Sequence, residues 1–398
     1  MVRGAGYKDK EQCVMVGMRD VARKAGVSLS TVSLVVNGTG YVSAEMRGRV
    51  EAAMRELDYI PNELARNLYS GRTSLIGVIV PTIRHPFFST LTASLQRAFA
   101  ARGLRTMLCS TADAEGGEVE YVDMLRRRMM DGIVMGAHTS HAPGYWTSIG
   151  RPVVAFDRYL GEGIASVGSD HEQGGRLVAD LLVRTGTRHV VTLGGPRAQF
   201  HDLQRWMAEH AAIRGGDGPD STFPTVRYHL TLERELRAAG TVHEYLEAGE
   251  VHDMQAYAQA ARVVCARAAE GQVDAIVSSD VGAAFCVQEA LRLGLRIPED
   301  LQIVAYDGTY LAQAAGLRVT AVRQDFDAIA DTIAGRMDDA IAGGYGAAGP
   351  VGDGAAGDAV GGGTDADEAD AGADVVASVL RMIDDLVPVA LVPGETTR

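Results

Sequence analysis

Cysteine is scarce in this chain. The four that occur, Cys13, Cys109, Cys265 and Cys286, stand far apart, with no CxxC pair and no Cys/His spacing. That pattern argues against a disulfide framework and against a zinc site, and makes a reduced, cytoplasmic compartment the expectation. No stretch approaches the roughly 20 continuous apolar residues of a membrane helix. The segment from Met1 to Met18 carries charges and no long apolar run, unlike a secretory signal. Signatures of catalysis are missing too: there is no GxSxG, no HExxH and no phosphate-binding loop. The ten histidines are scattered. His138 and His141 lie close in sequence but lack a third ligand, so they read as loop residues rather than a metal site. Neither an enzyme nor a cofactor is expected.

Positive charge is also in deficit. The net formal charge is −13, which by itself excludes a uniformly basic nucleic-acid binder. The deficit is uneven, however. Residues 1–74 hold 11 Lys+Arg against 8 Asp+Glu, whereas the remainder holds 27 against 43. A basic head on an acidic body suits a protein that presents one end to a polyanion. With 398 residues, 46% of them hydrophobic, the chain has material for two or three domains and a sizeable core.

The head reads as short helices. Val21, Ala22 and Ala25 form an apolar face that Gly26 ends. Ser28 is a good N-cap, with Val27 and Val32 at the two positions of a hydrophobic staple around it. Val32, Val35 and Val36 stripe the second helix. Ser43 caps a third, on which Met46, Val50, Ala53, Met54 and Leu57 recur at helical spacing. Helix, tight turn and capped helix over 20–38 fit a helix-turn-helix, although an ordinary αα-hairpin fits the composition equally well. Residues 63–70, ELARNLYS, offer a short fourth helix with too weak an apolar face to be stable alone.

From residue 75 the texture changes. Buried-strand runs at 75–80, 132–135, 152–156, 189–193, 274–278 and 302–306 alternate with helical stretches at 88–102, 118–130, 171–184, 256–270 and 281–293. This alternation predicts parallel, doubly wound sheets in an α/β fold, with enough chain for two of them. Residues 195–250 resist reading because Gly, Pro and His interrupt every pattern. In 343–374, eleven of 32 residues are Gly, seven are acidic and none is basic. That composition predicts a disordered acidic insertion ahead of a last helix and a strand near 387–392.

The runs DVARKAGVSLSTVSLVVN, VSAEMRGRVEAAMRELDYIPNELARNL and SLIGVIVP carry a resemblance. They look like the lactose-repressor and galactose-repressor family of bacterial transcription regulators. Looser matches continue through HPFF, DGIVM, FDR, SVGSD, SSD, RIPEDLQIVAYD and TAVRQDF, covering about three quarters of the chain. The resemblance implies a flexible extension over 1–17, a three-helix DNA-binding domain over 18–62 and a hinge helix and linker over 63–74. A two-lobed domain like the periplasmic sugar-binding proteins would fill 75–398. Its first lobe would take about 75–169 and 325–342, and its second about 170–324 and 387–398.

Function follows from the same resemblance. A homodimer would read a palindromic operator in double-stranded DNA, as a repressor, under control of a small molecule such as a sugar or sugar phosphate; the alternatives are a regulator with a non-sugar effector or none, and a soluble sugar-binding protein without DNA affinity. No membrane association is implied. DNA contacts would come from Ser28, Leu29, Ser30, Thr31, Ser33, Leu34, Asn37, Tyr41 and Ser43, and from Asn62 and Arg66 near the hinge. Leu68 would wedge into the minor groove and unstack a base step. Leu34 departs from the many relatives with arginine there, the natural bidentate partner of guanine. For the effector, Phe88 would stack, Asp157, Arg158 and Asp280 would bind hydroxyls, Gln324 would border the cleft and Arg205 would reach the ligand. An Asp after a strand also serves as a helix cap, which is the plainer alternative for Asp280. The stacking aromatic many relatives use near the lobe entrance is not evident between Val251 and Tyr257.

Overall fold

A computed structural model describes residues 16–61, 67, 71–113, 116–137, 141, 144–161, 163–201, 224–343 and 384–398. The chain divides into two compact units, Met1–Thr73 and Ser74–Arg398.

In the first unit, α1 (Met18–Ala25), α2 (Leu29–Asn37) and α3 (Ala44–Glu56) follow the caps read from the sequence. Gly26 ends α1 at φ 63°, a left-handed conformation that glycine adopts without penalty. Ser28 and Ser43 accept hydrogen bonds from the backbone N–H groups of Thr31 and Met46. The core is small: Val21, Ala22, Ala25, Val32, Val50 and Ala53 are buried, with Val27, Val35 and Val36 packed at its edge. Such a core leaves a unit of this size only marginally stable.

The second unit holds two sheets, each six-stranded among the described residues. The first runs β2 (Arg105–Ser110), β1 (Leu75–Val80), β3 (Gly132–Met135), β4 (Val153–Phe156), β5 (Ser166–Ser169), β11 (Asp385–Val387), all parallel. The second runs β7 (Val242–Glu247), β6 (His189–Gly194), β8 (Ala275–Ser279), β9 (Gln302–Asp307), β10 (Thr320–Arg323), β12 (Ala390–Val392). Only its last pairing, β10 with β12, is antiparallel.

Helices cover both faces. On the first sheet, Ile76, Val78 and Val80 pack toward α4 (Pro86–Ala101) and α12 (Phe326–Ala342), and Ile79 packs toward α5 (Val119–Arg126) and α6 (Tyr145–Ser148). Successive β1 residues thus enter opposite cores, which is why strands of such a sheet are apolar throughout. On the second sheet, α7 (His171–Arg184) and α8 (Pro224–Ala238) lie on one face; α9 (Met254–Ala269), α10 (Asp280–Arg292) and α11 (Leu311–Ala314) lie on the other. Helices α7 and α8 touch closely at Gly175, where a Cβ would stand 2.8 Å from the Tyr228 carbonyl oxygen.

Three crossovers join the lobes: β5 to α7, β10 to α12, and β11 to β12. The single strand expected near 387–392 is two strands in different sheets, because Pro388 cannot donate a ladder hydrogen bond and breaks the run. The stretch 195–250, opaque in sequence, yields α8 and β7. Residues 1–15 of the expected N-terminal extension and 344–374 of the insertion expected at 343–374 lie outside the described residues, as does most of the hinge.

Candidate functional site

Helix α2 presents a hydroxyl cluster at its N-terminus. The Ser28 Oγ accepts from the Thr31 N–H at 3.1 Å and lies 2.7 Å from the Ser30 Oγ and 2.8 Å from the Thr31 Oγ1. These exposed groups share the helix end where free N–H groups attract a phosphate. Leu29 is 43% exposed and Tyr41 is 92% exposed, large side chains with no packing role in the unit. Asn37 donates to the Ser33 Oγ. Leu34 is half-buried and leans on Gly40, whose Cβ position would lie 3.1 Å from a Leu34 methyl.

The turn before α2 is braced by Arg49, a residue with no signal in the sequence reading. From α3, its guanidinium donates to the Ala25 carbonyl at 3.1 and 2.6 Å and to the Gly26 carbonyl at 3.1 Å. It therefore caps α1 and fixes the angle between the first two helices. Asn62, Arg66 and Leu68 lie outside the described residues.

A cavity of about 170 Å³ opens between the lobes, past the carboxyl ends of strands from both sheets. Its first-lobe wall is aromatic: Phe87 stacks on Phe156 at 5.8 Å and meets Phe88 edge-on at 5.0 Å. Its second-lobe wall includes Phe200, Tyr228, Tyr245 and Tyr306. Val251 and Tyr257 line it too.

Polar groups thread these walls and tie the lobes together. Asp157, after β4, holds His171 at the start of α7: both carboxylate oxygens lie 3.1 Å from Nε2. The other ring nitrogen, Nδ1, lies 2.5 Å from the Tyr306 hydroxyl, and His171 is only 2% exposed. At the second crossover, Gln324 accepts from the Ser169 Oγ at 2.6 Å and donates to Asp307 at 2.9 Å. Burial, then the neighbouring Asp280 charge, pushes the Asp307 carboxyl well above its usual range. Asp157 and Asp307 both have positive φ, 45° and 123°, so two strained backbone positions border the cleft. Arg158 lines the cleft, buried, while its carbonyl accepts from the Ser166 Oγ.

Asp280 is placed differently. It is 1% exposed and its carboxylate accepts from the N–H groups of Gly308 and Thr309 and from the Thr309 hydroxyl. It is not among the cavity-lining residues. Burial raises its carboxyl to about 6 despite those bonds. Nor does it cap α10: Ser279 does, accepting from the Gly282 N–H. Phe88, Asp157, Arg158 and Gln324 do line the cavity, and Arg205 lies outside the described residues.

Buried polar atoms on cavity-lining residues that find no hydrogen-bond partner among the described residues include His85 Nε2, Tyr228 Oη and His229 Nδ1. Burial holds both imidazoles neutral, His85 lowered to about 4 and His229 to about 3. Unpaired buried groups cost free energy that a bound polar molecule recovers. No helix among the described residues is long and apolar enough to cross a membrane, and none of their His, Cys, Asp and Glu clusters can hold a metal ion.

Comparison with known proteins agrees with this geometry. Residues 17–62 match the family described as bacterial regulatory proteins, lacI family. Residues 73–215 match the periplasmic binding proteins and sugar binding domain of the LacI family, and 179–352 a periplasmic binding protein-like domain. The sucrose operon repressor of Pediococcus pentosaceus is 32% identical over 77% of this chain and 86% of its own. The ribose operon repressor of Halalkalibacterium halodurans is 32% identical over 78% and 86% respectively. Among solved structures, the lac repressor dimer bound to operator and the anti-inducer ONPF shares the fold: its TM-score is 0.68 at 22% identity, covering 96% of this chain and 99% of that one. A capped helix-turn-helix, a two-lobed body and these relatives together make the chain a member of the LacI family of DNA-binding transcription repressors, not an enzyme.

Proposed function

We propose that this repressor acts as a homodimer on a palindromic operator and that a sugar in the interlobe cleft sets its affinity for DNA. The observation that carries the effector half is the cleft itself. Aromatic walls suit the C–H faces of a sugar, and unpartnered polar atoms suit its hydroxyls. Phe88, Asp157, Arg158 and Gln324 border it. A ligand held there favours one degree of lobe closure by its differential affinity for the two states. The relatives named as sucrose and ribose operon repressors put those two sugars first for trial.

On the DNA side, the exposed Ser28, Ser30 and Thr31 hydroxyls support phosphate contact, and Leu29 and Tyr41 support contact with base edges. Leu68 is proposed as the minor-groove wedge on its sequence context alone. The test selects an operator from a random library with the full chain, then titrates it with and without a panel of sugars. A palindromic consensus and a sugar-dependent shift are expected. An asymmetric site bound by a monomer, or indifference to every sugar, overturns the corresponding half.

A further inference from the structure

Strand β1 is gripped at the point where the chain enters it. In its two ladders Leu75 pairs with Arg105 of β2 and Ile76 with Gly132 of β3, so Ser74 stands one residue ahead of the paired strand. It is nevertheless held from both sides. Its carbonyl accepts from the Arg105 N–H at 2.7 Å. Its own N–H donates to the Asp131 Oδ2 at 2.8 Å, from a residue 57 positions further along the chain. Asp131, just before β3, also donates its backbone N–H to the Leu75 carbonyl at 2.8 Å.

The same residue bends the chain. Ser74 has φ 54°, a left-handed conformation that a residue with a side chain adopts at a cost. It stays there because its surroundings outweigh that cost, and a hydrogen bond to a carboxylate is the strongest of the three that hold this corner. Ser74 is also the first residue of the second unit, directly after Thr73. The backbone direction at the unit boundary is therefore set by one side chain of the first lobe. An aspartate that merely closed the edge of the ladder would need no bend there.

We infer that Asp131 is a positioning residue for operator binding: by clamping Ser74 in its left-handed turn it fixes where the linker leaves the first lobe, so that the two heads of a dimer meet a palindrome in register. It acts through the Ser74 backbone. This rests on the dimeric operator reading above and adds a residue to it.

The test uses the full chain and fluorescence anisotropy, with two DNAs: the palindromic operator recovered by selection, and one half-site in an unrelated duplex. Thermal unfolding is followed alongside. Asp131→Ala should weaken palindrome binding about tenfold, the worth of one hydrogen bond to a carboxylate. Half-site affinity should stay nearly unchanged, because one head needs no register. Asp131→Asn keeps an acceptor for the Ser74 N–H and should recover most of the loss. Ser74→Pro has neither the N–H nor access to positive φ, at a strand start where proline is tolerated. It should repeat the Asp131→Ala pattern with Asp131 intact, and it decides the matter if Asp131→Ala does not fold. Equal losses on both DNAs, or a lower melting temperature with unchanged palindrome affinity, overturn the inference and leave the dimeric reading standing. Unmodified protein that binds the palindrome no better than its half-site overturns both.

Discussion

Asp280 shows how a single residue's surroundings override its position in sequence. Like Asp157 it follows a strand of a doubly wound sheet, yet its carboxylate turns away and binds the Gly308–Thr309 loop. Its folded-state pKa, about 6, lies above the ordinary value of 3.8, so the fold binds this proton more tightly than the unfolded chain does. The resulting contribution is fully present below pH 3.8 and is lost as pH rises through 6. Urea denaturation between pH 3.5 and 7 should show the stability of the wild type, relative to Asp280→Asn, falling by about 3 kcal/mol. A difference that is flat or rises with pH contradicts the assignment. Leu34 raises a specificity question at the same scale. Leu34→Arg gives up the contact with Gly40 and gains a bidentate donor, so operator selection should shift toward guanine at one position per half-site, a discrimination of ~1–3 kcal/mol. Identical consensus sites for the two proteins would mean that residue 34 does not face bases.

Among elements, legibility followed local chemistry. The caps at Ser28 and Ser43 and the stop at Gly26 were readable because each rests on one side chain or one φ angle. Strands such as β1 and β9 were readable because both faces are buried and every residue is apolar or nearly so. Strand β2, RTMLCS, sits at a sheet edge with a half-exposed pattern and left no clear trace. Helix α8 was hidden by the surrounding Gly, Pro and His, and with it went Tyr228 and His229, which depend on tertiary packing to face the cleft. Arg49 was invisible for a similar reason, since its partners lie 24 and 23 residues away. Replacing it in Arg49→Met strips the α1 C-terminus of three donors. That should destabilise the helix-turn-helix by about 1–3 kcal/mol and weaken operator binding at least fivefold, with the body's sugar affinity as the unaffected control. Unchanged operator binding would show that the turn holds without it. Gly175→Val would drive a side chain into the backbone of α8 at Tyr228 and Leu232. A loss of ~2 kcal/mol or more in unfolding free energy, with weaker ligand binding because α8 carries the cleft wall, is expected. A melting temperature equal to wild type would contradict that packing.

For the whole molecule, charge is divided between the two units. The head is basic and the body acidic, so DNA affinity should come from the head and fall steeply with salt as phosphate contacts release counterions. A plot of log affinity against log salt should have a negative slope of several, and the fragment 75–398 should not bind. The body places two positive-φ residues, the buried Asp307 carboxyl and unpaired polar atoms along its interlobe cleft, where a ligand's small differential contacts act on lobe closure. The most direct measurement of that coupling is the operator affinity of the intact protein, by fluorescence anisotropy at fixed salt, with and without a saturating sugar known from calorimetry to bind. A shift of at least tenfold in operator affinity is expected, and Phe88→Leu should require a higher ligand concentration to reach it. A ligand that fills the cleft and leaves operator affinity unchanged would contradict it.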